Sequence, residues 1–291
     1  MRDIVPGKLG VVLDPDPAPV AIANRRNTDA MLLALRGGDW SDLPGTRIEA
    51  TRIGQLFGNS ATVLADSSAS EQKLETLRRA GELKKYRYLH FATHGEGNNV
   101  RAFESSLILA QDSLPKDSLP KAGEPFINGQ LSASEVLEFW KLDAELVTLS
   151  ACETAVGSQG GGDGPLGFAQ AFLTAGSRAV CLSLWKVDDT ATTLLMDRFY
   201  QNLLGKRSGL EKPMGKAAAL AEAKNWLRSL SSEEALQLTA DLTKGVVRGK
   251  GQKALPKAAV PQPDDPAAAK TFKPFGHPKY WAAFILIGDP D

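Results

Sequence analysis

The sequence is poor in several features that would assign it to a class. Its 291 residues include only two cysteines, which excludes a framework of several disulfides and fits a reducing compartment. Its 34 Lys and Arg residues equal its 34 Asp and Glu residues, so the basic excess of nucleic-acid binders is absent. No apolar run has the length of a membrane span, and no apolar signal segment follows Met1. These absences predict a soluble, cytoplasmic protein that binds neither nucleic acid nor membranes.

Signatures of phosphate and metal binding are missing as well. The glycine-rich run Gly160–Gly164 is not followed by the Gly-Lys-Ser/Thr of a phosphate loop, and we interpret it as a flexible active-site loop. His90 and His94 have a spacing that grips zinc on a helix, but on a strand it separates them by roughly 13 Å. We therefore expect no cofactor and no metal site, and we interpret His90 as a structural residue of a sheet.

Apolar segments of strand length alternate with amphipathic helical segments along most of the chain. The predicted strands are 29–36, 61–65, 86–94, 106–110, 145–150, 178–185 and 280–287. The predicted helices are 46–57, a helix beginning at Ser70, 132–140, 166–175, one from Asp188 or Asp189 to 204, and 216–230. Thr46 and either Ser132 or Ser134 are the candidate caps. The alternation predicts one α/β domain with a largely parallel sheet covered by helices on both faces.

Three segments fall outside this pattern. Residues 1–28 form an N-terminal extension that we leave unassigned, and the domain itself is predicted over 29–291. Residues 111–129 nearly repeat the pentapeptide DSLPK and are interpreted as a surface insertion. Residues 244–276 are rich in Gly, Pro, Ala and Lys, which is typical of a flexible linker.

Two of the predicted strands end in reactive side chains. Strand 86–94 ends in His94, and strand 145–150 is followed by Cys152. Sites in open parallel sheets lie beyond the carboxyl ends of the strands, so neighbouring strands would bring imidazole and thiol into one crevice. There His94 would hold the thiol as thiolate or accept its proton. The backbone N–H groups of Gly95 and Cys152 are the expected donors to a developing oxyanion.

The two cysteines receive different interpretations. Cys181 lies inside an apolar strand, so we predict a buried and inert side chain. Cys152 precedes polar residues and the glycine-rich loop. From its position alone, a catalytic role and a buried structural role both remain open for Cys152.

Six motifs follow one another along the second half of this pattern. They are HFATHG (90–95), LSACET (149–154), LGFAQAFLTAG (166–176), LSLWKVDD (182–189), MDRFYQNLL (196–204) and HPKYWAAFILIGD (277–289), with LPGTRIEA (43–50) ahead of them. Together they resemble the CHAT domain, which belongs with caspases, separases and gingipains. The resemblance spans residues from about 29 to the C-terminus. It implies a caspase-like three-layer α/β/α sandwich with a mostly parallel central sheet, and a cysteine endopeptidase whose dyad falls on His94 and Cys152.

The same resemblance bears on specificity. LSLWKVDD resembles the separase segment whose acidic residue binds a basic P1 side chain, and Asp189 falls on that position. The other interpretation is that Asp188 and Asp189 serve as helix caps, and the two roles can be divided between them. Asp163 in the glycine-rich loop is a second candidate for the pocket wall. The expected preference is cleavage after Arg or Lys, because a carboxylate pairs with either cation.

Two other classes of function stay open. Some caspase-fold relatives have lost activity and act as scaffold or signalling modules, and an acyltransferase would use the same pair of residues. CHAT domains often follow tetratricopeptide repeats, which are absent here, so the chain is a stand-alone module or part of something longer. The resemblance implies a protein substrate, and a regulatory adaptor or tetratricopeptide-type protein as partner, in a regulatory or defence pathway.

Overall fold

The structure, a computed structural model, describes residues 8–13, 44–98, 101–111, 114, 123–151, 164–185, 188–242, 260–263 and 271–291. The strands are β1 (Lys8–Leu13), β2 (Ala61–Leu64), β3 (Tyr86–Ala92), β4 (Gly95–Glu96), β5 (Ser106–Ile108), β6 (Gln130–Ser132), β7 (Leu146–Leu149), β8 (Ala179–Ser183) and β9 (Phe284–Gly288). The helices are α1 (Pro44–Phe57), α2 (Glu71–Arg79), α3 (Ala133–Phe139), α4 (Gly164–Ala175), α5 (Asp189–Leu203), α6 (Lys216–Ser229), α7 (Ser232–Leu242) and α8 (Pro278–Trp281).

Six of the strands form the central sheet, in the order β2-β1-β3-β7-β8-β9. The first five run parallel to one another, and β9 pairs antiparallel with β8. The predicted, mostly parallel sheet is therefore confirmed. Because the parallel strands share one direction, their carboxyl ends lie along one edge of the sheet.

Helices cover both faces of the central sheet. The side chains of β3, β7 and β8 alternate between the two faces, as the pleat of a strand requires. One core contains Tyr88, Leu146 and Cys181 and is covered by α1, α5, α6 and α7. The other core contains Leu89, Val147 and Val180 and is covered by α2, α3 and α4. This arrangement confirms the predicted three-layer α/β/α sandwich.

A second, smaller sheet stands apart from the central one. Strands β4, β5 and β6 pair antiparallel, with Leu107 opposite both Gly95 and Leu131. The predicted strand 106–110 thus exists over a shorter range and belongs to this sheet instead of the central one. Helix α3 follows β6 directly, and Ser132 caps it by accepting a hydrogen bond from the Glu135 N–H at 3.2 Å.

The N-terminal part of the chain contributes more than the sequence indicated. Strand β1 falls within the segment 1–28, which the sequence left unassigned, and pairs with both β2 and β3. The predicted strand 29–36 lies outside the described residues. Thr46 is not a helix cap, because α1 already begins at Pro44. Ser70 does cap α2, accepting a hydrogen bond from the Lys73 N–H at 3.2 Å.

Differences also occur towards the C-terminus. Helix α7 corresponds to no predicted element. The predicted strand 280–287 begins later, at Phe284, because Pro278 at the first helical position and the His277 cap favour a short helix first. Most of the predicted insertion 111–129 and of the predicted linker 244–276 lies outside the described residues.

Candidate active site

His94 lies two residues past the end of β3 and is partly exposed. The backbone around it is held from the small sheet. The Ile108 N–H donates to the His94 carbonyl at 2.9 Å, and the hydroxyl of Thr93, which is fully buried, donates to the Ile108 carbonyl. Gly95 then begins β4. These bonds fix the path of the chain on both sides of the imidazole.

The strand that leads to Cys152 is the direct neighbour of β3. Strands β3 and β7 pair in parallel with His90 opposite Thr148, so the condition that these two strands are neighbours is met. The pairing continues past β7, since the Ser150 N–H donates to the Phe91 carbonyl at 2.8 Å. His94 and Cys152 each come four positions after a member of the His90–Thr148 pair.

Cys152 and Asp163 themselves lie outside the described residues. The last described residue before them is Ala151, which is 1% exposed. Its carbonyl oxygen accepts a hydrogen bond of 2.8 Å from the hydroxyl of Ser183, the last residue of β8. The backbone that leads to Cys152 is therefore bonded to both neighbouring strands, β3 and β8.

The two aspartates before α5 have separate positions. Asp188 is the N-cap, and its carboxylate accepts the Ala191 N–H at 2.9 Å. Asp189 is the first helical residue and is exposed. Its side chain lies against the start of α1, where a Cβ added to Gly45 would come within 2.7 Å of the Asp189 Cβ. Capping therefore belongs to Asp188, and Asp189 lies beyond the carboxyl end of β8, at the same edge of the sheet as His94.

A chain of four buried polar side chains crosses the first core, and we call it the polar chain. The Glu49 carboxylate lies 2.8 Å from His90 Nε2, and His90 Nδ1 lies 3.2 Å from the Tyr200 hydroxyl. That hydroxyl also lies 2.9 Å from Thr148 Oγ1. His90 is fully buried and hydrogen-bonded through both ring nitrogens, which confirms its structural role.

The polar chain and Ser183 were missed at the sequence level, although a signal exists for part of them. Glu49 and Tyr200 stand at core positions within α1 and α5, on the faces where apolar residues would be expected. A buried polar residue requires a partner, which makes such positions worth pairing with a polar residue on a neighbouring strand. Nothing in the sequence marks Ser183, because serine is common at the end of a strand.

Burial is the main cause of a raised pKa for two groups in this core. The Cys181 thiol is fully buried, and desolvation raises its pKa to about 12. It therefore stays protonated and unreactive at neutral pH, as predicted for a structural cysteine. Desolvation likewise raises the pKa of the Tyr200 hydroxyl, so this group keeps the proton that it donates within the polar chain.

A separate cavity of about 440 Å³ opens between the small sheet and α3. Its lining includes two phenylalanines and residues of the 123–128 segment. Four glutamates also line it: Glu104, Glu124, Glu135 and Glu138. Next to it, Glu71 accepts the Asn128 and Gly129 N–H groups, and burial, reinforced by the charge of Glu135, raises the pKa of Glu71 to about 8. The cavity lining includes neither His94 nor Ala151, so this acidic region is not the candidate active site.

Within the described part of the chain, no group of three or more His, Cys, Asp or Glu side chains is placed to hold a metal ion. None of the helices found there combines the length and apolar character that crossing a lipid bilayer requires.

Comparison with known proteins connects this geometry to a family. The family model described as the CHAT domain matches residues 10–289. Tetratricopeptide repeat protein 28 of Homo sapiens is 25% identical over 275 residues, which cover 86% of this chain and 8% of that protein. Its Mus musculus counterpart is 25% identical over 271 residues, covering 86% and 9%. The chain thus spans less than a tenth of the length of these relatives.

Two solved structures are also similar. The Arg specific cysteine proteinase gingipain R matches at 10% identity with a TM-score of 0.44, over 98% of this chain and 46% of that chain. The Drosophila initiator caspase Dronc matches at 10% identity with a TM-score of 0.34, over 77% of this chain and 73% of that chain.

Proposed function

This chain belongs to the CHAT domain family, and we propose that it is a cysteine endopeptidase in which His94 and Cys152 form the catalytic dyad. The observation that carries the proposal is the register of β3 with β7. These strands are adjacent and parallel, and each leads to one member of the proposed dyad. Reactive side chains at the carboxyl ends of two neighbouring strands are the arrangement that open α/β sheets use for their sites.

The proposed reaction is acyl transfer in two steps. The Cys152 thiolate attacks the scissile carbonyl carbon, and the C–N bond breaks as the His94 imidazolium gives its proton to the leaving amine. A water molecule then loses a proton to His94 and attacks the thioester, which releases the carboxylic acid and regenerates the Cys152 thiolate and the His94 imidazolium. The N–H groups of Gly95 and Cys152 donate to the oxyanion in both steps.

We extend the proposal to substrate choice. The Asp189 carboxylate is assigned to pairing with a P1 Arg or Lys, with Asp163 as a second acidic wall. Support comes from the start of α5, where Asp188 is the N-cap and accepts the Ala191 N–H, and Asp189 is the first helical residue. Asp189 is exposed at the edge of the sheet where the dyad is proposed.

Partner and compartment are proposed on simpler grounds. The named relatives carry tetratricopeptide repeats in their names, and the matched region is a small part of each. We therefore propose a regulatory adaptor or tetratricopeptide-type protein as the partner, in a regulatory or defence pathway. A reducing compartment such as the cytoplasm would keep a catalytic Cys152 thiol active.

The test is covalent labelling with an acyloxymethyl ketone probe that carries P1 Arg. We expect labelling and cleavage of Arg and Lys peptides by the wild type, and loss of both in Cys152→Ala. His94→Ala should lose cleavage by at least about a hundredfold, the lower range for a general acid–base group. Cys181→Ala is the matched control and should keep activity, because this thiol is inert.

Two results would contradict the proposal. Cleavage that persists in Cys152→Ala would remove the mechanism. A folded wild type that neither labels nor cleaves would favour the alternative, a catalytically silent scaffold or signalling module. An acyltransferase would label at Cys152 but transfer the acyl group to an acceptor other than water, which product analysis would show.

A further inference from the structure

Ser183 makes an unusual contact at the end of β8. The ladder between β7 and β8 ends at the pair Leu149–Leu182. One position further, the backbone of Ser183 pairs with Phe284 on the opposite side, in β9. The Ser183 side chain, 1% exposed, reaches back across and donates to the Ala151 carbonyl at 2.8 Å. The Ser183 side chain thus continues the hydrogen bonding between the two chain segments beyond the last backbone pair of β7 and β8.

The carbonyl of Ala151 belongs to the peptide group that joins Ala151 to Cys152. In a planar trans peptide group the carbonyl and the N–H that follows it form one rigid unit and point in opposite directions. A bond that holds the Ala151 carbonyl is therefore expected to set the direction of the next N–H in the chain. A hydrogen bond to the carbonyl also polarises the peptide group, which makes the N–H a stronger donor.

We propose that Ser183 is a positioning residue that orients and polarises the Ala151–Cys152 peptide group, so that its N–H stabilises the oxyanion of the acyl-transfer step. This rests on the proposed endopeptidase function. Ser183 acts through this peptide group and does not touch the substrate. Its loss should slow the formation and breakdown of the tetrahedral intermediate and leave the nucleophilicity of the Cys152 thiolate unchanged.

The same strand supplies a matched control. Ser177, just before β8, is 5% exposed, and its hydroxyl donates to the Ala179 carbonyl at 2.7 Å. Ser177 and Ser183 therefore make side-chain bonds of the same kind, with similar burial and length, at opposite ends of β8. Only the Ser183 bond reaches the residue before Cys152. Ser177→Ala and Ser183→Ala should both lose stability, since each removes a buried hydrogen bond to a main-chain carbonyl.

The experiment measures peptide hydrolysis and alkylation of Cys152 by iodoacetamide in the wild type, Ser183→Ala, Ser183→Thr and Ser177→Ala. Alkylation by iodoacetamide needs a thiolate but no oxyanion stabilisation. We expect Ser183→Ala to lower kcat about tenfold, less than removal of an oxyanion donor outright. KM for the peptide and the rate of alkylation should stay within about twofold of the wild-type values. The pH dependence of alkylation should be unchanged. Ser183→Thr, which keeps the hydroxyl, should restore most of kcat, and Ser177→Ala should keep the wild-type kcat.

Three outcomes would overturn the inference: wild-type kcat in Ser183→Ala, an equal loss in Ser177→Ala, or alkylation slowed in proportion to kcat. If Ser183→Ala does not fold, Ser183→Thr decides alone, and a tenfold loss there would contradict the proposal because its donor is retained. Failure of the proposed function is seen separately, as a wild type whose Cys152 alkylates without any hydrolysis. That result would remove this inference as well.

Discussion

The two faces of the central sheet are built from different chemistry. On the face covered by α2, α3 and α4, the core is apolar, and Phe91, Trp140, Phe168 and Phe172 form a cluster with ring centroids 5.9–6.3 Å apart. On the face covered by α1, α5, α6 and α7, the polar chain runs through the core. Aromatic packing stabilises without directional bonds, whereas a polar chain stabilises only when every member is satisfied.

The polar chain links the strands of the central sheet to the helices on one of its faces. The polar chain joins α1, β3, β7 and α5, and two of these elements are the strands that lead to the proposed dyad. Its bonds are directional, so a shift of β3 against β7 by one residue would break the contacts of both His90 and Thr148. Apolar packing stabilises both faces. We infer that the polar chain adds directional bonds that favour one register of β3 against β7.

The largest loss of stability is expected from a variant on the face covered by α2, α3 and α4. Phe172 is fully buried and contacts the other three aromatic rings of the cluster. Phe172→Ala should lower the free energy of unfolding by about 3–5 kcal/mol, the usual cost of a cavity left by an aromatic side chain. Urea denaturation measures this change. Val63→Ala is the control and should change little, because Val63 is 42% exposed. A cost below about 2 kcal/mol for Phe172→Ala would contradict the view that the aromatic cluster stabilises this face strongly.

A smaller effect is expected in the polar chain. Tyr200→Phe keeps the ring and deletes only the hydroxyl, which leaves His90 Nδ1 and Thr148 Oγ1 without this partner. The expected loss is about 1–3 kcal/mol, the penalty for unsatisfied buried groups. Adding Thr148→Val removes one of the two stranded groups, so the double variant should lose less than the sum of the single variants. Strict additivity would show that Tyr200 and Thr148 are not coupled.

Much of the fold could be predicted from local sequence patterns. Strands β3, β7 and β8 and helices α3, α4 and α5 were predicted within a few residues, because each combines a continuous apolar run with a recognisable start or end. The cap Ser132 with Glu135 three residues later is such a signal. Local sequence does not show which sheet a strand joins. The strand at 106–110 could therefore be predicted, but its place in the small sheet could not. Strand β1, KLGVVL, contains a glycine and has no clear start or end signal, and its pairing with β2 and β3 decides its structure.

The candidate site divides in the same way. His94 and Cys152 are candidates at the sequence level, because reactive side chains at predicted strand ends leave a signal in the sequence. Ser183 and the polar chain left almost none, because their meaning lies in contacts between distant positions. His90 and Tyr200 are 110 positions apart, and Ser183 and Ala151 are 32 positions apart. The partner of a buried polar residue is set by tertiary packing, which a single sequence does not state.

The smallest change in stability is expected at the start of α5, where it sharpens the comparison between a structural and a functional polar group. Asp189→Asn and Asp188→Asn remove the same charge from adjacent positions. Asp188→Asn should keep the free energy of unfolding within about 0.5 kcal/mol, because Asn caps a helix as well as Asp does. Asp189→Asn should stay within the same range, because Asp189 is exposed. Only Asp189→Asn should lower kcat/KM for P1 Arg substrates, by about tenfold or more, since a neutral amide no longer pairs with the guanidinium. Equal losses in both variants would point to the net charge of this region, and no loss in either would leave Asp189 without a role in P1 binding.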